Sequence, residues 1–200
     1  MSVRVFGIHL PINSQTMLPA LCLTALLLAL FYLLPQSFTS LYYTPASVAE
    51  GQWWRLITAQ WVHHDAPHLW LNVGGLWLWW LLYIEYLPKG RYWLLLLPIM
   101  LASTAAHMLG PQGYMSYAGF SGCLYGIFCY AAIMDIGAGR FSSWAILAAI
   151  VLKNGYDLWT LPADTDIAIY SHLGGMAMAA LLAAMMIRRG CAARLTPRSN

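Results

Sequence analysis

The chain has 200 residues, 60% of them hydrophobic and 8% charged, where an ordinary soluble domain carries about 25% charged residues. Ten Lys and Arg with seven Asp and Glu cannot cover a water-exposed globule of this size, so most soluble folds are excluded and the solvent is largely lipid. The formal charge of +3 is not gathered into a basic stripe interleaved with aromatics, which argues against a nucleic-acid partner.

Six apolar runs follow one another at residues 17–34, 69–87, 92–109, 120–137, 141–156 and 167–187, separated by Pro35, Pro88 with Gly90, Gly110-Pro111, Gly137-Ala138-Gly139 and Leu161-Pro162. A bilayer-crossing helix takes roughly 20 mainly apolar residues. None of the runs alternates as a spanning strand would, so the expectation is an all-α polytopic membrane protein: one domain over residues 1–200 with six transmembrane helices. The first run is as long as a span and follows a long polar lead holding only Arg4, which reads as an uncleaved span rather than a signal peptide. Cys22, Cys123, Cys129 and Cys191 form no C-x-x-C pair and read as small buried apolar side chains. The long connection 35–67 carries Trp53, Trp54 and Trp61 and is expected to lie in the membrane interface. Trp77, Trp79 and Trp80 in the second run read as lipid- or interface-facing bulk.

Orientation follows from the bases. With both termini cytoplasmic, the inner segments hold Arg4, Lys89, Arg91, Arg140, Arg188, Arg189, Arg194 and Arg198, while the outer loops hold only Arg55. The outer side collects Glu50, Asp65, Asp157, Asp164 and Asp166. Lys153, inside the fifth run and one turn before Asp157, is expected to snorkel or pair toward the outer face.

In that topology the second, fourth and sixth spans are all entered from outside, and Ser121, His172, His68 and Asn72 fall within about two turns of those outer ends. His172 is the one histidine placed to approach Ser121 from a neighbouring span, so a Ser–His dyad is the simplest reading. His68 and Asn72, four residues apart, share a helix face. With the Ser121 amide at a helix N-terminus they provide donors for a developing oxyanion. Tyr125, one turn after Ser121, is placed to pack on the His172 ring. Gly122-x-x-x-Gly126 and Gly175-x-x-x-Ala179 allow the fourth and sixth spans to touch.

His63 and His64 read as caps for loop carbonyls. Neither a metal nor a cofactor is expected: Pro67 prevents a helical His64/His68 pair, and His-Glu-x-x-His does not occur. The serine is not in a soluble-hydrolase elbow, since Gly-x-Ser-x-Gly would need glycine at Cys123.

Trp54-Arg55 in the first outer loop, His68-x-x-x-Asn72, Gly119-Phe120-Ser121-Gly122 and His172-x-x-Gly175 occur in an order and context that resemble the rhomboid family of intramembrane serine proteases. The resemblance implies Ser121 as nucleophile, His172 as base, His68 and Asn72 as oxyanion-hole side chains, and Tyr125 as support for the histidine. Gly119, Gly122, Trp54 and Arg55 take supporting places. Glu85 followed by Gly90 is similar to a family motif in which Leu81 replaces a glycine; Ser171 and Ala179 also depart from the family's small residues. The implied substrates are single-span or C-terminally membrane-anchored proteins, cut in or beside the membrane segment. The implied location is a bacterial inner membrane, with the site opening to the periplasmic face. The short chain and the Lys153-x-x-x-Asp157 region resemble the rhombosortase branch, which implies C-terminal GlyGly-type sorting tails. The alternative is an inactive rhomboid-like protein that binds transmembrane helices, and retention of both Ser121 and His172 argues against it.

Overall fold

Helices stand at all six apolar runs in the computed structural model, which describes residues 3–5, 8–10, 14–86, 92–160 and 167–189. Lys89, Gly90, Arg91, Asp164, Asp166, Cys191, Arg194 and Arg198 lie outside the described residues. The long helices are α1 (Ser14–Leu28), α2 (Ala66–Tyr83), α3 (Tyr92–Leu109), α4 (Ser121–Gly137), α5 (Ser143–Thr160) and α6 (Ile169–Arg188). α3 and α6 are each long and apolar enough to cross a membrane, and α1 qualifies when its bent continuation is included. α2 carries His68 and Asn72 within its length, and α5, the more polar of the two, carries Lys153, Asn154 and Asp157.

Several boundaries differ from expectation. α1 begins at Ser14 and runs into a π-helical stretch, Ala29–Leu33, after which the chain turns by 94° at Pro35, a residue without the N–H needed to continue a helix. α5 extends to Thr160, so Asp157 is not a loop residue: it is buried in the helix and ion-paired with Lys153. Pairing is what makes a carboxylate tolerable there. Two short antiparallel strands, Val3–Val5 and Ile8–Leu10, precede α1 and add to the otherwise helical fold.

Leu18, Leu71, Leu94, Leu152 and Trp159 are exposed on the helix exteriors, an extended apolar surface suited to lipid. Trp79 and Trp80, expected at the lipid boundary, are instead buried, and the Trp79 indole donates to the Ile127 carbonyl at 2.9 Å. An indole N–H in an apolar core needs such an acceptor. Cys123 and Cys129 are buried as expected, whereas Cys22 is exposed.

The connection 35–67 is built around Arg55. Its guanidinium is buried and donates to Gln52 Oε1 at 2.8 Å and to the carbonyls of Tyr42 and Thr39 at 2.5 and 3.0 Å. Trp54 Nε1 donates to the Ser40 carbonyl, while the Trp53 and Trp54 rings stay exposed. A small core of Tyr43, Val48, Ala59 and Tyr117 lies beneath, and a backbone bridge between Tyr43 and Tyr117 joins this connection to the segment entering α4. His63 is buried at its end. Its Nε2 lies 2.9 Å from Asn72 Nδ2 and accepts from the Phe120 N–H at 3.4 Å, so it ties the connection to α2 and α4 rather than capping a loop carbonyl.

α4 and α6 meet along their glycines. A Cβ on Gly175 would come within 2.2 Å of the Gly122 carbonyl oxygen, and one on Gly126 within 2.9 Å of the Gly175 carbonyl oxygen. On Gly122 it would strike the hydroxyls of Ser103 and Ser171. These two are 2.8 Å apart and satisfy each other, which is how serine is accommodated before His172. At the far end of α4, buried Asp135 accepts from Tyr86 Oη at 2.6 Å and from Ser143, and pairs with Arg140, which also bridges to Glu85.

Two outcomes follow for stability. Gly175→Ala is expected to lose about 1–3 kcal/mol by forcing backbones apart, whereas Gly155→Ala, where nothing lies within 4 Å, should gain up to about 1 kcal/mol of helix propensity. Thermal unfolding in micelles checks this, and equal midpoints for the two variants would contradict the packing. Burial, then the charges of His68 and His64, hold the His63 pKa down at about 3. Its unfolded state takes up a proton first, near pH 6.5, so its contribution is complete above that pH and is lost progressively as pH falls toward 3. The unfolding midpoint should therefore drop between pH 7 and pH 4.5, and less steeply in His63→Gln; identical slopes would refute this.

Candidate active site

Two demands fix Gly119 just before α4. Its φ of +127° is in the region that favours glycine, and a Cβ would lie 2.4 Å from His68 Cε1. Phe120 is wholly buried against Trp61, and Ser121 then opens the helix. The first amides of a helix have no intrahelical acceptor and sit at the positive end of its dipole. The close approach of α4 and α6 carries His172 to this point: its Nε2 is 2.9 Å from Ser121 Oγ. Tyr125 packs on the imidazole with ring centroids 4.4 Å apart.

The opposite ring nitrogen, Nδ1, is 3.1 Å from Oδ1 of Asn154 on α5. Sequence reasoning missed Asn154. Its only signal was an amide inside an apolar run, a costly group, and it stood beside the more conspicuous Lys153 and Asp157.

Ser121, His172, His68, Asn72 and Tyr125 all line one cavity of about 1030 Å³. Leu71, Leu78 and Leu82 of α2 form one wall, Ile146, Ala149 and Ile150 of α5 form the other, and Leu124 and Phe128 of α4 lie between them. Asn72 is buried with its amide nitrogen on His63, and a carboxamide nitrogen has a second N–H to offer. The His68 backbone N–H donates to Asp65 Oδ1 at 2.7 Å near the start of α2. His64 stacks edge-on against Phe38 at 5.0 Å and lines the cavity mouth, so it too is no carbonyl cap. Gly119 and Gly122 act from behind the cavity by admitting His68 and the serine pair. Trp54 and Arg55 stand apart from it, within the long connection.

A serine hydroxyl in contact with an imidazole, with amide and imidazole groups from another helix facing the same space, has the parts for acyl transfer. Among curated proteins no relative matches the chain. A family profile described as the Rhomboid domain matches residues 50–189, the stretch that holds every side chain of this cavity. The chain therefore belongs to the rhomboid family, whose members are generally serine proteases acting within the membrane.

Proposed function

We propose that the protein is a serine endopeptidase that cleaves a peptide bond in or beside the transmembrane segment of a membrane-anchored protein, with Ser121 and His172 as its dyad. The observation that carries the reading is the 2.9 Å contact between Ser121 Oγ and His172 Nε2 at the wall of a cavity open between two helices. Ser121 attacks the scissile carbonyl as His172 takes its proton. The oxyanion is held by His68, Asn72 and the Ser121 amide. His172 then protonates the departing amine, and water, activated by the same imidazole, releases the acyl group. No residue in this scheme calls for a metal or cofactor. An inactive helix-binding relative would need neither the hydroxyl nor the imidazole, so their contact disfavours that alternative.

The surrounding architecture is read as a single six-span domain with both termini cytoplasmic, in a bacterial inner membrane, and with the cavity mouth on the periplasmic side. The positive-inside distribution supports it, as do helices at all six apolar runs. The cleft between α2 and α5 offers the route for a substrate helix, with α5 as the movable wall. The Lys153–Asp157 pair on that wall lies in the region that resembles the rhombosortase branch, and on that resemblance a C-terminal GlyGly-type tail is the narrower substrate assignment.

A fluorophosphonate probe should label the purified protein, fail on Ser121→Ala, and react at least roughly 10²-fold more slowly with His172→Ala; undiminished labelling of Ser121→Ala would overturn the dyad. Asn72→Ala should lower kcat by roughly 10²-fold with a smaller change in KM, as for loss of an oxyanion donor. Co-expression with a reporter bearing a glycine-rich C-terminal tail tests the narrower assignment. Ser121-dependent trimming is expected, and cleavage of other membrane-anchored reporters without it would remove that branch.

A further inference from the structure

We propose that Asn154 is a positioning residue for His172, selecting its reactive tautomer and tying the base to α5; this rests on the Ser121–His172 reading above. The amide orientation follows from its surroundings. Asn154 is 1% exposed, and its Nδ2 lies 2.8 Å from the Ile150 carbonyl. A carbonyl only accepts, so the nitrogen faces Ile150 and the oxygen faces His172. Oδ1 can only accept as well, which puts the ring hydrogen on Nδ1 at the 3.1 Å contact. Neutral imidazole carries one N–H, so Nε2 is left with its lone pair toward Ser121 Oγ at 2.9 Å. That is the protonation state a general base needs, and it is reached without a carboxylate. Tyr125 presses on the ring face and constrains its tilt, but an aromatic face cannot choose between tautomers.

The contact also has a structural origin. The buried residues of α5 are Ser143, Asn154 and Asp157, all polar. Ser143 binds Asp135 and contacts Tyr83 Oη at 2.9 Å, and Asp157 pairs within the helix to Lys153. Asn154 is thus the buried side chain by which α5 holds α6. In lipid, where apolar faces gain little from meeting, such bonds specify a helix's seat.

The test is a set of Asn154 variants in the full chain, read by turnover and by histidine nitrogen NMR. Asn154→Leu, with the same number and branching of heavy atoms but no acceptor, should lower kcat roughly 10²-fold, as expected for a misplaced catalytic group, with KM within about twofold. Asn154→Asp, which keeps an acceptor at the same place, should recover most of that loss. In ¹⁵N-histidine spectra the His172 resonances should report Nδ1–H in the wild type and a mixture of tautomers in Asn154→Leu. Turnover within twofold of wild type in Asn154→Leu, or no recovery in Asn154→Asp, would overturn the role of Asn154 and leave the dyad standing. Wild-type protein without Ser121-dependent reactivity would overturn the dyad instead. In that case the tautomer comparison still decides on Asn154, since identical His172 spectra in wild type and Asn154→Leu would refute it.

Discussion

The contact between α4 and α6 is the constraint on which the site depends. Ser121 and His172 belong to different helices, and a hydroxyl reaches an imidazole at 2.9 Å only if those helices run closer than ordinary side chains allow. Gly122, Gly126 and Gly175 supply that approach by letting each backbone meet the other's carbonyls. Ser103 and Ser171 then fill the space beside Gly122 with a hydrogen-bonded hydroxyl pair. The Ser121–His172 distance is therefore set by atoms that take no part in the contact. The Cβ of alanine at Gly175 would be felt one turn away at His172, although its chemistry is inert.

The second constraint comes from the long connection before α2. Arg55 folds that segment by binding three of its own acceptors, and His63 then joins it to Asn72 and Phe120. Phe120 directly precedes Ser121, so the same imidazole is bonded to the helix bearing Asn72 and to the residue that presents the serine. Gly119 completes the arrangement by leaving room for the His68 ring. Groups from α2 and α4 thus meet at the cavity because the connection before α2 is bonded to both of them, in addition to the packing of Leu76 and Trp79 against Ile127.

The parts legible in the sequence were those where a polar residue interrupts an apolar run at a helix end. His68, Asn72, Ser121 and His172 all do so, and the alternation of spans is enough to gather them at one end. The glycine spacing of α4 and α6 was legible for the same reason, since only close approach explains it. Burial of Trp79 and Trp80 was not: in a helix apolar on most sides, periodicity does not separate the lipid face from the core face. Asn154 was hidden differently. Lys153 and Asp157 drew attention to the outer end of α5, and the rotation of α5 relative to α6, which aims Asn154 at His172, is a tertiary quantity that no single helix encodes. The fate of Asp157 was misjudged because the helix runs on to Thr160, where an internal ion pair allows a carboxylate to stay buried.

The scarcity of charge has a further consequence for α5. A helix with Val151, Leu152, Leu158 and Trp159 on its exposed side has no apolar gain from leaving lipid for protein, and its buried side chains are polar. Each bond across helices in a membrane contributes on the order of 1 kcal/mol, and Ile146, Leu147 and Ile150 add partly buried packing against the core, a looser seat than that of the glycine-packed pair α4 and α6. One latch, Ser143 with Asp135 and Tyr83, lies far from Ser121 and His172; the other is the Asn154 contact with the His172 ring itself. Between them the cavity keeps α5 apart from α2. Among the described residues the polar contact from this wall to α6 is that of Asn154 Oδ1 with His172 Nδ1, so any movement of α5 away from α6 acts on the imidazole that faces Ser121. A structure so arranged couples the seat of α5 to the His172 ring, because the acceptor facing Nδ1 belongs to that helix.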